Sequence, residues 1–362
     1  MGSEHPSVLD SQDDPVLEQD NALSQARASS PWMKRGLELL KWFIFIAIVV
    51  WIVSRFPKKD WELLVHQPKN WWLILFALAA VLLANVISFW RWQRLVSALG
   101  VSVSVFEAVR LGFLGVAMNL VSAGSVGGDV FKAIVAAKKA KDRKTEVVAS
   151  VFVDRAIGLL GLVLVAAASM SMAENLTPEF LGIRTIAWGI GIAGLLGLFG
   201  IVLYGDKLPL HWFQKIPTIG KTLARLAQAC VVFHNRSGLA TLMLLSSFCI
   251  HALIVSSGWL ISRGLYAHTT SDAPSLLEHF IVLPPAFLVA TLPLTPGGLG
   301  LQEFWIDTLF KQLPTVSEHF SGMVMATMLR VVSLMVALIG AFIYVAGRSE
   351  ILLQSKSAFE PK

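Results

Sequence analysis

Charge is scarce in this chain of 362 residues. Only 15% of them are charged against 55% hydrophobic, and mean hydropathy is +0.66, values that exclude an ordinary soluble domain. Cysteine is scarcer still. Cys230 and Cys249 are too few for a disulfide framework, and both fall in or near predicted helices, where they read as packing residues. The histidines show no metal-ligand spacing, so no metal or other cofactor is expected, and His251 reads as a hydrogen-bonded packing residue within an apolar run. Neither glycine-rich stretch is a nucleotide loop: GSVGGD lacks the Lys-Ser/Thr ending, and GGLGLQE has Glu303 where a third glycine is needed. No basic segment followed by a short apolar region opens the chain, which argues against a cleaved leader, and Pro6 breaks the myristoylation pattern. Nothing calls for nucleic acid.

Long apolar runs are what the chain does have. Trp71–Trp90 and Thr185–Tyr204 are each 20 residues without a charge, the length that crosses a hydrocarbon core of about 30 Å. Leu37–Val53, Val147–Met172, Leu239–Ser262 and Met323–Ala346 complete six expected spans. Residues 1–30 carry six acidic side chains against one arginine and read as a disordered tail, and 349–362 as a second tail. If segments 91–146 and 263–322 each leave and re-enter on one side, most of the 30 lysines and arginines share a face with both termini. By the positive-inside rule that face is cytoplasmic, with Lys141 and Arg225 inside and Glu179 and Asp272 outside.

Two breaks interrupt the apolar pattern in the same way. NLVSAGSVGGDVFKA (119–133) and LPLTPGGLGLQEFW (292–305) each set a Gly-Gly pair between an apolar segment and a short helical run. Gly127 and Gly128 precede Gly297 and Gly298 by 170 positions, Arg94 precedes Arg263 by 169, Glu107 precedes Glu278 by 171, and Arg155 precedes Arg330 by 175. An odd number of crossings separates the halves, so the second should be inverted relative to the first. The expected fold is therefore an all-α polytopic membrane protein. It has about six spanning helices and two re-entrant broken hairpins in an inverted repeat, with halves near 71–172 and 239–346 inside a domain of 31–348. Interrupted segments at matching positions of inverted repeats point to a transporter site near mid-membrane.

The candidate substrate-binding residues lie around those breaks: Arg94, Asn119, Gly127, Gly128, Asp129, Lys132, Asp154 and Arg155 in the first half, Pro296, Gly297, Gly298, Glu303 and Arg330 in the second. A charge within a span costs at least about 2.5–3.5 kcal/mol, which makes Arg155 and Arg330 functional candidates. Their structural reading is ion pairing, Arg155 with Asp129 or Asp154 and Arg330 with Glu303. The Gly-Gly turns could present backbone N–H groups to a phosphate, or could simply allow tight turns and close helix packing. The basic run Lys132–Lys144 reads as a positive-inside loop, or as a surface that concentrates anionic headgroups. Asp60 and Glu62 form a weak carboxylate pair of the kind a membrane transferase would use.

In combination GSVGGDVFKA, the Val153–Arg155 VDR, PGGLGLQE and Arg330 resemble the flippase-like membrane domain of lysylphosphatidylglycerol synthases, over roughly residues 35–348. Lys132 departs from the pattern, where arginine is expected, and a compact ammonium cannot grip phosphate with two parallel bonds. Synthases of the family carry an aminoacyl-transferase domain after the membrane part, whereas this sequence stops soon after its last expected span, so the resemblance implies lipid movement or lipid-linked assembly without aminoacylation. The expected partners are membrane lipids with anionic or phosphate-bearing headgroups in the cytoplasmic membrane. The alternatives are a transferase using a lipid-phosphate-linked donor, with Asp60 and Glu62 or Asp129 as its carboxylates, and a non-catalytic membrane partner of a soluble lipid-modifying enzyme.

Overall fold

The computed structural model describes Glu62 and residues 65–121, 127–139, 144–207, 231–269, 271–292, 295 and 298–346. The expected span Leu37–Val53, both tails, Asp60, Lys141, Arg225, Cys230, Pro296 and Gly297 lie outside the described residues. Among those described the backbone is helical, with no strand.

The first half holds α1 (Trp71–Ala98), α2 (Val105–Val121), α3 (Gly127–Lys139) and α4 (Lys144–Ser171). A linking helix, α5 (Pro178–Tyr204), leads to the second half: α6 (Ser237–Leu265), α7 (Leu276–Ala290), α8 (Leu301–Lys311) and α9 (Gly322–Ala346). Each start has a local cause. Asn70 accepts from the N–H groups of Trp72 and Leu73 to cap α1, and Pro178 opens α5 at a position that needs no donor. Ser104 accepts from the Glu107 N–H at α2, and Ser275 with Glu278 forms a full capping box at α7, so the repeated glutamate marks two equivalent helix starts.

Among the described residues five helices are long and apolar enough to cross a membrane: α1, α4, α5, α6 and α9. They coincide with five of the six spans expected from sequence, and the chain is an integral, multi-pass membrane protein. The four other labelled helices are shorter. At about 1.5 Å per residue none of the 17-, 13-, 15- and 11-residue helices α2, α3, α7 and α8 reaches about 30 Å alone. They occur as two pairs, α2 with α3 and α7 with α8, with Gly127 and Gly128 opening α3 and Gly298 and Gly300 just before α8.

Packing reveals the symmetry. The α1–α6 contact is its own mate, the α2–α9 contact repeats as α7–α4, and α1–α9 repeats as α6–α4. The two halves run in opposite directions. The Asn70 N–H, at the start of α1, donates to the Gly264 carbonyl at the end of α6 (2.9 Å). At the other end Leu95 of α1 packs in one cluster with Ala240 and Met243, near the start of α6. The inverted repeat expected from the glycine spacing is thus present in the packing.

Two details show how polar backbone is handled at depth. Pro284 inside α7 has no N–H for the Phe280 carbonyl, and the Ser169 hydroxyl of α4 donates to that oxygen instead (2.7 Å). On the outer surface, α5 buries only Phe180, Ala187 and Gly191, while Ile186, Ile190, Leu196 and Phe199 stay exposed. A helix apolar all round with one narrow packed face suits lipid on the others. Cys249 is exposed on α6 and is not the packing residue expected of it.

Candidate functional site

Between the two halves lies a cavity of about 440 Å³, walled by α1, α2, α3 and α4 and closed by residues of α6, α7, α8 and α9. Asn119, Asp129, Lys132, Asp154 and Arg155, all singled out in the sequence, reach it, and Gln302, beside Glu303, does so from the second half. Arg91, Asn85, Ser88 and His251 also line it and were not anticipated.

The ion pairs in and beside it fall into a repeated motif and an added one, although Glu303 and Arg330 do not themselves line it. Arg155 on α4 pairs with Asp129 on α3, and Arg330 on α9 pairs with Glu303 on α8 at 2.7 Å. Asp129 precedes Glu303 by 174 positions and Arg155 precedes Arg330 by 175, so the carboxylate–guanidinium pair is itself duplicated. Both pairings are among those the sequence allowed. Asp154, the other partner considered for Arg155, instead accepts from Arg91 on α1 at 2.9 and 3.1 Å. The corresponding second-half positions, Leu260 and Leu329, cannot ionise. The added pair makes the two ends of the cavity chemically unequal.

Exposure separates the two repeated arginines. Arg330 is 16% exposed and spends its donors on Glu303, the Gly298 carbonyl (3.2 Å) and Gln302 (3.1 Å). Arg155 is 51% exposed and sets one guanidinium nitrogen against Asp129. A guanidinium carries five N–H donors in a planar fork, so Arg155 retains donors for a ligand oxygen. Helix α4 begins at Lys144, which places Arg155 about 16 Å along its axis at 1.5 Å per residue, close to half a bilayer core.

Lys132 is buried. Its ammonium lies 3.7 Å from Asp129 and 4.4 Å from the Trp92 ring centroid, and the Trp92 indole N–H is fixed by Ser150 at 3.1 Å. The basic run therefore does not begin as a surface loop. Its first lysine is part of the cavity wall, held by a carboxylate and a ring face.

The described glycines serve close packing and turns. The Gly128 N–H donates to the Asn119 side chain (2.7 Å), and a Cβ there would stand 1.9 Å from the Gly115 carbonyl oxygen, where α3 folds against α2. Gly298 and Gly300 have φ of +70° and +78°, and the Gly300 N–H donates to Glu303 (2.8 Å). These N–H groups are engaged by the protein's own side chains. Arg94 is exposed, stacked on Trp90 at 5.3 Å as its repeat mate Arg263 stacks on Trp259 at 5.8 Å, and does not line the cavity. Glu62 is exposed and also does not line it. His251 donates to the Gly158 carbonyl at 2.9 Å, as expected of a bonded packing residue, and faces the cavity as well. Among the described residues no cluster has the makeup of a metal site.

No curated protein and no solved structure matches this chain. The sequence model of the lysylphosphatidylglycerol synthase transmembrane region matches residues 39–341, which takes in the first half, the second half to within five residues of its end, and every cavity residue described above. The chain belongs to the lysylphosphatidylglycerol synthase transmembrane-region family.

Proposed function

We propose that this protein moves a lipid with an anionic or phosphate-bearing headgroup across the cytoplasmic membrane, with both termini on the cytoplasmic side. One observation carries the reading: a half-exposed arginine, Arg155, near the middle of a spanning helix, on a cavity shared by two inverted halves. A headgroup phosphate would take the donors of Arg155 that Asp129 does not, while the acyl tails stay in the bilayer. Rocking of one half against the other would then present the site to each side in turn. Family membership supports a lipid-related role, and the polar cavity supports a route for a headgroup.

The protein acts in this reading without altering its lipid. A tail-labelled anionic lipid, placed in one leaflet of proteoliposomes, should appear in the other with its mass unchanged. A changed mass would favour the transferase alternative. A labelled lipid confined to its leaflet would overturn the proposal and favour a membrane partner of another enzyme.

A further inference from the structure

A second pocket lies apart from the central cavity and shares no residue with it. It encloses about 290 Å³ where the turn from α4 to α5 meets the α8–α9 loop, with Glu174, Thr177, Leu181 and Arg184 on one side and Pro314 on the other. At about 30 Å³ per water that is room for roughly ten small groups, the size of a phospholipid headgroup. Two opposite charges face this pocket and are not spent on each other. Among the described residues neither Glu174 nor Arg184 takes part in an ion pair or a hydrogen bond. The Thr177 side chain lines the pocket too and makes no capping bond at the start of α5. One carboxylate and one guanidinium, each open to a ligand, complement a zwitterion. An ammonium would lie against Glu174, and a pair of anionic oxygens against the fork of Arg184.

Position along the helix orders the two charges. Arg184 is six residues beyond Pro178, the first residue of α5, and so about 9 Å into the helix at 1.5 Å per residue, while Glu174 lies in the turn before it. The carboxylate is therefore nearer water and the guanidinium nearer the hydrocarbon. Phosphatidylethanolamine carries its ammonium and its phosphate in that same order. Beyond Arg184 the same face of α5 continues as Trp188, Ile192, Leu196 and Phe199, all exposed and spaced by four, four and three residues. Acyl chains fit this stripe, whereas a free amino acid would leave it bare.

We infer that this pocket holds the headgroup of a zwitterionic phospholipid, whose tails lie along α5 and whose headgroup ties the linking helix to the α8–α9 loop. This binding does not depend on the lipid-transport reading. The test uses the purified, delipidated full chain in detergent, with binding of phosphatidylethanolamine and phosphatidylglycerol followed by native mass spectrometry. Lipid bound elsewhere is subtracted with a variant lacking both charges, Glu174→Gln with Arg184→Gln. Glu174 is exposed and Arg184 half-buried, so these variants should fold. Phosphatidylethanolamine should bind about fivefold more tightly than phosphatidylglycerol, the effect of one partly exposed ion pair. Glu174→Gln should erase that preference, and Arg184→Gln should weaken both lipids about fivefold. Soluble glycerophosphoethanolamine, the same headgroup without tails, should not displace the lipid at equal concentration. Equal binding of the two lipids by the unaltered protein, or a preference that survives Glu174→Gln, would overturn the zwitterion assignment. Unchanged affinity in Arg184→Gln would overturn the site itself. Displacement by glycerophosphoethanolamine at equal concentration would overturn the lipid and leave a soluble zwitterion as the occupant.

Discussion

Two arginine–aspartate pairs share the cavity wall, and replacing the arginine of each should have very different consequences for folding. Arg91 and Asp154 are 5% and 7% exposed and are joined at 2.9 and 3.1 Å. Arg91→Gln removes the charge and strands a buried carboxylate, a loss of about 3–5 kcal/mol. Asp154 also feels the charge of Lys132, which stays, so the lower end, about 3 kcal/mol, is expected. Arg155 is 51% exposed, and Asp129 keeps Lys132 at 3.7 Å after Arg155→Gln. A half-solvated pair contributes about 0–1 kcal/mol, so this variant should lose no more than about 1 kcal/mol. Replacing both buried partners, Arg91→Leu with Asp154→Leu, should recover most of the loss, because no buried charge is then left alone. Thermal stability of the monodisperse, detergent-solubilised protein reads all three variants. Equal destabilisation by Arg91→Gln and Arg155→Gln would refute the division into one structural and one ligand-binding arginine.

Four further outcomes follow from the packing. Gly128→Ala places a Cβ 1.9 Å from the Gly115 oxygen and disturbs the Asn119 bond, and should destabilise by about 2–4 kcal/mol. Gly197→Ala on α5 meets nothing within 4 Å and should stabilise by up to about 1 kcal/mol, so the two melting curves should move in opposite directions. Ser169→Ala leaves the Phe280 carbonyl opposite Pro284 without its donor and should lower stability by about 1–3 kcal/mol in the same measurement. Because α1 and α6 are antiparallel, Ser102→Cys and Ser271→Cys, in a background without the native cysteines, should label from opposite sides of the membrane. Labelling from one side would contradict the inverted arrangement.

Much of this architecture was legible because it rests on local pattern. Uncharged runs of spanning length became helices, and Gly-Gly breaks at equal spacing became two hairpins of opposite direction. Arg155 and Arg330 stood out because a charge inside an apolar run is conspicuous, and their pairing with Asp129 and Glu303 was among the options the sequence left open. Arg91 was missed for a physical reason. It follows an uncharged run directly and reads as a flanking charge, while its partner, Asp154, is 63 residues away on another helix. Arg94, three residues on, attracted notice through its repeat spacing but serves as an exposed arginine stacked on tryptophan. Lys132 looked like the first residue of a basic loop because neighbouring lysines dominate that stretch. Asp129, three residues before it on α3, is within helical reach, but its burial also depends on Trp92 of α1, which no local periodicity connects to it. The inequality of Arg155 and Arg330 was equally invisible, since it lies in which donors the rest of the fold has already used.

The most direct test of the central claim is the leaflet-to-leaflet rate of labelled phosphatidylglycerol in proteoliposomes containing either the unaltered protein or Arg155→Gln. The account predicts protein-dependent movement with no change in lipid mass, and loss of that movement in an Arg155→Gln protein that inserts and melts much as the original does. Arg155→Lys should restore part of the rate, since an ammonium supplies the charge without the two parallel bonds. Full movement by Arg155→Gln would contradict the account, because the cavity would then carry its lipid without the one arginine left half-open to receive it.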